Sequence, residues 1–392
     1  MKGSGFIAAL AVPAIVALAV CAHSENRKPA IENRKPSRPP VGLMHVLNNG
    51  IQPQVVRDDK GITHLLYYSG DPAHGDLFYT KSTNDGATWL SPVRVNAAKG
   101  DAIALGNIRG GQLAVGRNGI VHVVWIGSKW VYGQPTDGSL SVLYTRSQEN
   151  GRGFEAERNL QGHTFGIDGG DSVAADPAGH VYVVWHAGAD QNAEDKDRKV
   201  WIAISPDNGK TFATEHPVWK EPTGACGCCS LKALYVEGRL WIAYRAAQDN
   251  THRDPYLIRS VDNGNFFYGQ RISDWLATAC PMSTFSLFGF GHKVFQAWER
   301  RGIIQWSAWA GEPSRGVGQS AKYPVIVVNG DGEMLVAWTE NMGWQRGGDV
   351  VWQVYDRNGK AVPSQSGRAP GVPANSLVAA FVRADGSFVI LF

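Results

Sequence analysis

The chain has 392 residues, 38 Lys/Arg against 35 Asp/Glu, 46 glycines and 14 tryptophans. Six of the basic and two of the acidic residues fall within positions 1–40, so the rest of the chain carries a formal charge near −1. That balance gives a nucleic-acid-binding surface no electrostatic support. The length would allow two domains, but helical periodicity is missing after the N-terminus and one β-pattern runs to the end.

Residues 1–22 carry Lys2 ahead of the apolar run Phe6–Val20. Val20-Cys21-Ala22 puts small residues where a signal peptidase reads, which predicts cleavage before His23 and a periplasmic or secreted product. Cys21 also resembles a lipoprotein cysteine. A lipid anchor there would be the one membrane attachment, since the run is short for a span. Residues 23–40 hold the tandem Glu25-Asn-Arg-Lys-Pro29 and Glu32-Asn-Arg-Lys-Pro36, a solvated Pro-rich linker that cannot bury a core.

From residue 41 onward one unit returns. A strand such as Gln112–Val115 or Ser172–Ala175 leads through a tight turn into an apolar strand. The apolar strands are Gly61–Tyr67, Gly119–Trp125, Gly179–Trp185, Gly238–Tyr244, Gly291–Trp298, Gly332–Trp338 and Gly386–Phe392. Each is β-branched or aromatic and entered through a turn of the Asp-Gly or Asn-Gly type, with that dipeptide itself at Gly119, Gly332 and Gly386, the strongest short hairpin signal. After a variable loop comes another strand, closed by a second turn signature. Its copies are Ser82-Thr-Asn-Asp85-Gly86-Ala-Thr88-Trp89, Ser205-Pro-Asp207-Asn-Gly209-Lys-Thr211-Phe212 and Ser260-Val-Asp262-Asn-Gly264-Asn-Phe-Phe267, with a worn copy at Ser147–Phe154. The Asp or Asn caps its own turn, Gly takes a positive φ, and the aromatic anchors the hairpin. Four antiparallel strands repeated at this period describe the blade of an all-β propeller. Seven inner hairpins favour seven blades over six. The last is left incomplete at Phe392, where a strand near Leu43–Leu47 could complete it and remove an exposed edge.

In a propeller, the loops entering each innermost strand and those joining second to third strands share one face around the channel. The entering loops are Gly106–Gly111 with Arg109, Gly166–Asp171 with Asp168, Ala225–Cys229, Ala279–Met282 and Ala321–Pro324 with Tyr323. The other set starts at Ser128-Lys-Trp130, His186, Arg245, Glu299-Arg300-Arg301 and Glu340. Acids, bases and arginines thus collect where a polar ligand would meet the axis. His64 and His122 fall at one repeat position inside strands and read as structural.

The four cysteines outside the first segment lie in two adjacent entering loops. Cys226, Cys228, Cys229, Cys280 and Met282 should therefore sit side by side. An exported chain permits disulfides, with Cys280 to one of the other three as the natural cross-blade bridge. Clustered thiolates with a thioether also suit copper as Cu(I), and a redox-active thiol pair is the third reading. A paired CxxC…CxxC pattern is missing, which disfavours structural zinc. No nucleophile elbow or nucleotide-binding fingerprint occurs in a credible context.

The Ser-x-Asp-x-Gly-x-Thr-Trp turns resemble the Asp-box, or BNR, repeats of the sialidase superfamily, with Ser82–Trp89 and Ser205–Phe212 as the specific copies. The stretches around Cys226–Cys229, Arg253-Asp254 and Cys280-Pro-Met282 also look like bacterial exported proteins of the sialidase-like type. The resemblance implies an exported propeller, usually six-bladed, that hydrolyses terminal sialic acid. It holds the sugar carboxylate with arginine forks and uses a Tyr nucleophile with a Glu and an acidic proton donor. Carried onto this chain, it implies Tyr323 as nucleophile, Glu299 as its base and Asp171 or Asp168 as acid. Arg109, Arg245 and Arg301, with His186, become the substrate-binding group. Gln52-Pro53-Gln54 stands where the family's Arg-Ile-Pro motif would fall. The expectation is a monomer acting on, or binding, a small acidic glycan without a cofactor. The alternatives are a non-enzymatic propeller with a copper or redox site at the cysteines, or a protein-interaction scaffold, because the turn specifies fold better than activity.

Overall fold

The structure is a computed structural model that describes residues 40–128, 140–149, 151–308 and 311–392. The predicted export segment with Cys21, nearly all of the linker, and Lys129-Trp130 lie outside the described residues.

Seven sheets follow one another along the chain. The first is Ile51–Arg57, Thr63–Asp71, His74–Ser82 and Val93–Arg94; the second is Gln112–Val115, Val121–Ile126, Val142–Arg146 and Arg158–Asn159. The third is Asp171–Ala175, Val181–Ala187, Lys199–Ser205 and His216–Pro217; the fourth is Lys232–Val236, Arg239–Arg245, Pro255–Ser260 and Tyr268–Arg271. Among the described residues the fifth has three strands, Phe285–Phe290, Lys293–Arg300 and Ile303–Ala308, and a bridge from Ile304 to Val317 stands in place of a fourth. The sixth is Lys322–Val328, Met334–Glu340, Gly348–Tyr355 and Ala361–Val372. In the seventh, Ala379–Val382 and Phe388–Leu391 are joined by Gly42–Met44, which runs parallel to Phe388–Leu391 with Leu43 opposite Ile390.

The first strands of successive blades touch one another, and the seventh touches the first, so the ring closes. It has seven blades, one more than the usual number in the family the turns resemble. Closure uses the N-terminal strand as the sequence predicts, extended by hydrogen bonds from the Phe392 N–H to the Met44 carbonyl and from the Val46 N–H to the Phe392 carbonyl, both 3.1 Å.

Second strands such as Val181–Ala187 and Met334–Glu340 are buried along their whole length. Each is covered on both faces by neighbouring blades, so it reads as an unbroken apolar run rather than an alternating one. Trp125, Trp185 and Trp298 are fully buried at equivalent positions in these strands. The Trp125 indole donates to the Asp101 carbonyl at 2.8 Å and that of Trp185 to Thr164 Oγ1 at 3.2 Å, tethering loops that lead to the channel mouth.

The repeated turns tie blade to blade. In the third blade Ser205 Oγ accepts the Gly209 N–H at 2.9 Å, and Asp207 accepts from the Thr211 N–H and hydroxyl at 2.8 and 2.7 Å. Ser82 and Ser260 accept from Gly86 and Gly264 in the same way. Phe212 packs edge-on against Tyr144 of the preceding blade with ring centroids 4.8 Å apart, and Phe154 does the same with Tyr79. His122 Nδ1 lies 2.7 Å from the Tyr144 hydroxyl and His64 Nδ1 2.7 Å from that of Tyr79. The anchor of each turn is thus the neighbouring blade, and the two histidines hold the tyrosine it rests on.

Candidate functional site at the channel mouth

The loop Ala225–Cys229 crosses from the third blade into the fourth. Its turn is closed by the Cys229 N–H donating to the Cys226 carbonyl at 3.2 Å. The Gly227 N–H donates to Asp195 Oδ1 at 3.0 Å, and His186 Nε2 lies 2.7 Å from the Cys229 carbonyl. Asp195 also pairs with Arg253 at 2.8 Å. These contacts hold three cysteines of one loop against Cys280 of the next. Cys228 and Cys280 form a disulfide with Cα atoms 6.6 Å apart, while Cys226 and Cys229 are buried free thiols. The four Sγ atoms all lie within 4.8 Å of one another.

The Cys226 thiol donates to Cys229 Sγ at 2.9 Å, and this bond, with burial, holds Cys226 well above the ordinary thiol range. Burial pushes Cys229 up as well. The Cys226 bond, the Arg245 guanidinium, the Ser283 N–H and Arg253 outweigh it and bring the thiol down to about 7.

Beside the disulfide, Gly106, Asn107, Cys280, Pro281, Met282, Lys322, Tyr323, Met342–Gln345 and Asn375 enclose a cavity of about 190 Å³. Trp344 stands 64 % exposed at its rim. Lys322 donates to the Pro281 carbonyl at 2.6 Å and sits 3.6 Å from Glu299 Oε2. Burial raises Glu299 above the usual carboxylate range, against Lys322 and Arg245. Tyr323 is buried, and burial raises its phenol too, with the Glu299 charge adding and an Asn107 hydrogen bond opposing.

Below the mouth the seven first strands surround a channel of about 660 Å³. Lys232 reaches across it from the fourth blade to Gln54 Oε1 at 3.1 Å and Gln112 Oε1 at 2.8 Å. Burial drives its ammonium down to about 8, with Asp171 opposing. Burial likewise pushes the Asp171 carboxyl up to about 8, where Lys232 is the positive charge holding it back. One Asp171 oxygen has no hydrogen-bond partner.

The ring therefore brings Tyr323 next to Glu299, and Cys226, Cys228, Cys229 and Cys280 next to one another. Met282 shares the mouth cavity with Cys280, and Asp171 lies apart from that cavity, beside Lys232. The three arginines do not meet. Arg245 is buried, donating to Ser283 Oγ and to the carbonyls of Arg253 and Glu299, with Trp275 stacked 4.5 Å away. Arg109 pairs with Asp168 and the Leu105 carbonyl. Arg301 is exposed in the turn between the second and third strands of the fifth blade. His186 is buried behind the cysteine loop. Gln52, at the place of the missing Arg-Ile-Pro motif, donates to the carbonyls of Ala104 and Asn375 and binds two mouth loops together.

Sequence reading missed Lys322, Asn107, Trp344 and Lys232. Asn107 and Lys322 stand inside loops already singled out, and Trp344 follows Glu340 by four residues in the same connection. Following those loops to their ends would have found the first three.

Among solved structures, the Hadza microbial sialidase Hz136 matches with a TM-score of 0.50 and 14 % identity, over 79 % of this chain and 66 % of that one. An α-L-arabinanase of Penicillium chrysogenum complexed with arabinobiose matches with a TM-score of 0.49 and 15 % identity, over 80 % and 95 %. Trypanosoma rangeli sialidase matches at 0.48 and 15 % identity, over 77 % and 53 %. The chain thus spans just under two thirds of the first sialidase and about half of the second. No protein-family model and no curated protein matches the sequence. At these identities the likeness is one of fold: the chain has a sialidase-like β-propeller architecture.

Proposed function

We propose that this chain is an exported, monomeric propeller that captures a terminal acidic sugar at the channel mouth. The observation that carries the reading is the mouth cavity itself. It combines an exposed indole, Trp344, one ammonium, Lys322, and the amides of Asn107 and Gln345. An aromatic face with a few convergent polar groups is the usual composition of a small-ligand site, and the sugar carboxylate is the natural partner of the ammonium. One relative in fold, the Hadza microbial sialidase Hz136, is a sialidase, which supports the acidic-glycan class. The Cys228–Cys280 disulfide supports export, because such bonds persist in oxidising compartments.

The finer reading is an exo-glycosidase in which Tyr323 is the nucleophile and the neighbouring Glu299 takes its proton; Asp171, set apart from the mouth cavity, is too remote to be the acid there. Without an arginine trio the carboxylate is held by Lys322, a point charge rather than a fork.

Calorimetric titration tests the binding claim. Sialyllactose should bind and lactose should not. Trp344→Ala should weaken binding about 3- to 10-fold, as the loss of an aromatic stack does. Lys322→Gln should weaken it about 10- to 100-fold, as the loss of a charged hydrogen bond does. Equal affinity for the two sugars removes the proposal. Release from a fluorogenic sialoside, abolished in Tyr323→Phe, would establish the hydrolytic form, and binding without release would assign the chain a lectin role.

A further inference from the structure

The sulfur cluster borders the mouth cavity only through Cys280, and its other three sulfurs have no place in the sugar site. Cys226, Cys228, Cys229 and Cys280 converge within 4.8 Å. A backbone donor faces them: the Met282 N–H lies 3.4 Å from Cys280 Sγ. Two buried arginines border the cysteine loop: Arg245, whose carbonyl accepts the Cys226 N–H at 2.9 Å, and Arg253, whose partner Asp195 accepts the Gly227 N–H at 3.0 Å. Both are fixed from behind, Arg253 by Asp195 and Arg245 by Ser283 and two carbonyls. Donors aimed at sulfur are the outer shell that tunes thiolate-bound metals.

We infer that, once the Cys228–Cys280 bond is reduced, the four thiolates close on a single thiophilic metal ion, Cu(I) or Zn(II). Four sulfur ligands suit these ions. Cys280 is half-buried and lines the mouth cavity with Met282, so reductant and ion both reach the cluster from that side. The reductant is an external dithiol. One of its thiolates attacks Cys280 Sγ, the S–S bond breaks, and the electron pair leaves on Cys228. Its second thiol then closes the reductant's own disulfide and releases Cys280 as a thiol. Metal binding displaces the remaining thiol protons to solvent.

The test uses the full chain, reduced without oxygen and titrated with Cu(I) or Zn(II) against a competing chelator. The expected result is one ion per chain, with all four thiols shielded from a thiol reagent. The oxidised chain should bind at least ~100-fold more weakly, beyond what loss of an outer-shell partner gives, and Arg253→Ala should weaken the reduced chain about 10- to 100-fold. Cys226→Ser should lose stoichiometric binding while keeping the thermal transition and the sialyllactose affinity. Four thiols that react equally fast with and without metal would overturn the inference, as would unchanged binding in Cys226→Ser. Because sugar affinity is read separately, failure of either site is distinguishable from failure of the other.

Discussion

Asp171 opens the first strand of the third blade inside a ring that shuts out most water. Its carboxyl is held at about 8 by burial, against 3.8 in an unfolded chain. Between about pH 4 and 8 the unfolded chain has released this proton and the folded chain keeps it, so stability falls as pH rises through that window. Lys232, lowered to about 8 from 10.5, acts in the next window with the opposite sign. Asp171→Asn removes the first slope. Scanning calorimetry should show the variant gaining on the parent chain steadily from pH 4 to 8, whereas a constant offset would refute the burial argument. Gly209 makes a second residue-level case. Its φ is +81°, and a Cβ there would lie 1.9 Å from the Tyr144 hydroxyl. Gly119, with φ +74° and nothing within 4 Å, isolates the backbone term. Gly119→Ala should cost about 1 kcal/mol and Gly209→Ala more than ~2 kcal/mol in denaturant unfolding, the difference being the collision with the neighbouring blade. At this scale the sequence was a partial guide. It located the cysteine loops, but nothing in the residues around Arg245 tells that its guanidinium turns inward to carbonyls rather than outward to solvent.

Hairpins carried the legible part of the fold, because each inner pair is announced by a Gly-containing turn ahead of an apolar strand. The outermost strands were not legible. Val93–Arg94, Arg158–Asn159 and His216–Pro217 are two residues long, too short for any periodicity to declare itself. The turn signature was read as pinning its hairpin to the core, and the part of the core it meets is the preceding blade, through Phe212 on Tyr144 and Phe154 on Tyr79. In the third blade Asp207 accepts three hydrogen bonds, from Ser205, Thr211 N–H and Thr211 Oγ1, and these outweigh desolvation to hold its carboxyl at about 2. The stability this supplies is present above pH 3.8 and lost as pH falls through 2. Asp207→Ala should therefore lower stability by about 1 kcal/mol at pH 7 and by less at pH 2, measured by urea unfolding at both. An equal loss at the two values would mean that the ionised carboxylate is not what holds the turn.

At the scale of the molecule, the closed ring sets which residues can act together. Tyr323 and Glu299 belong to different blades, as do Cys228 and Cys280, and only the ring places each pair at one mouth. Repeat counting foresaw this, including completion of the last blade by a strand near the N-terminus. It could not foresee that the strand would run parallel, since pairing direction depends on where the linker enters. Removing residues 1–46 uncovers the Phe388–Leu391 edge, and an open edge recruits other chains. The truncated chain should unfold at a lower temperature and aggregate with rising concentration in light scattering, whereas an unchanged monomer would show that the closure strand is dispensable. The claim on which the account turns is that the mouth holds an acidic sugar, and a crystal structure of the chain with sialyllactose tests it most directly. The sugar ring should rest on the Trp344 indole with its carboxylate hydrogen-bonded to Lys322 Nζ. A sugar bound on the opposite face, or a mouth left empty at saturating ligand, would contradict it.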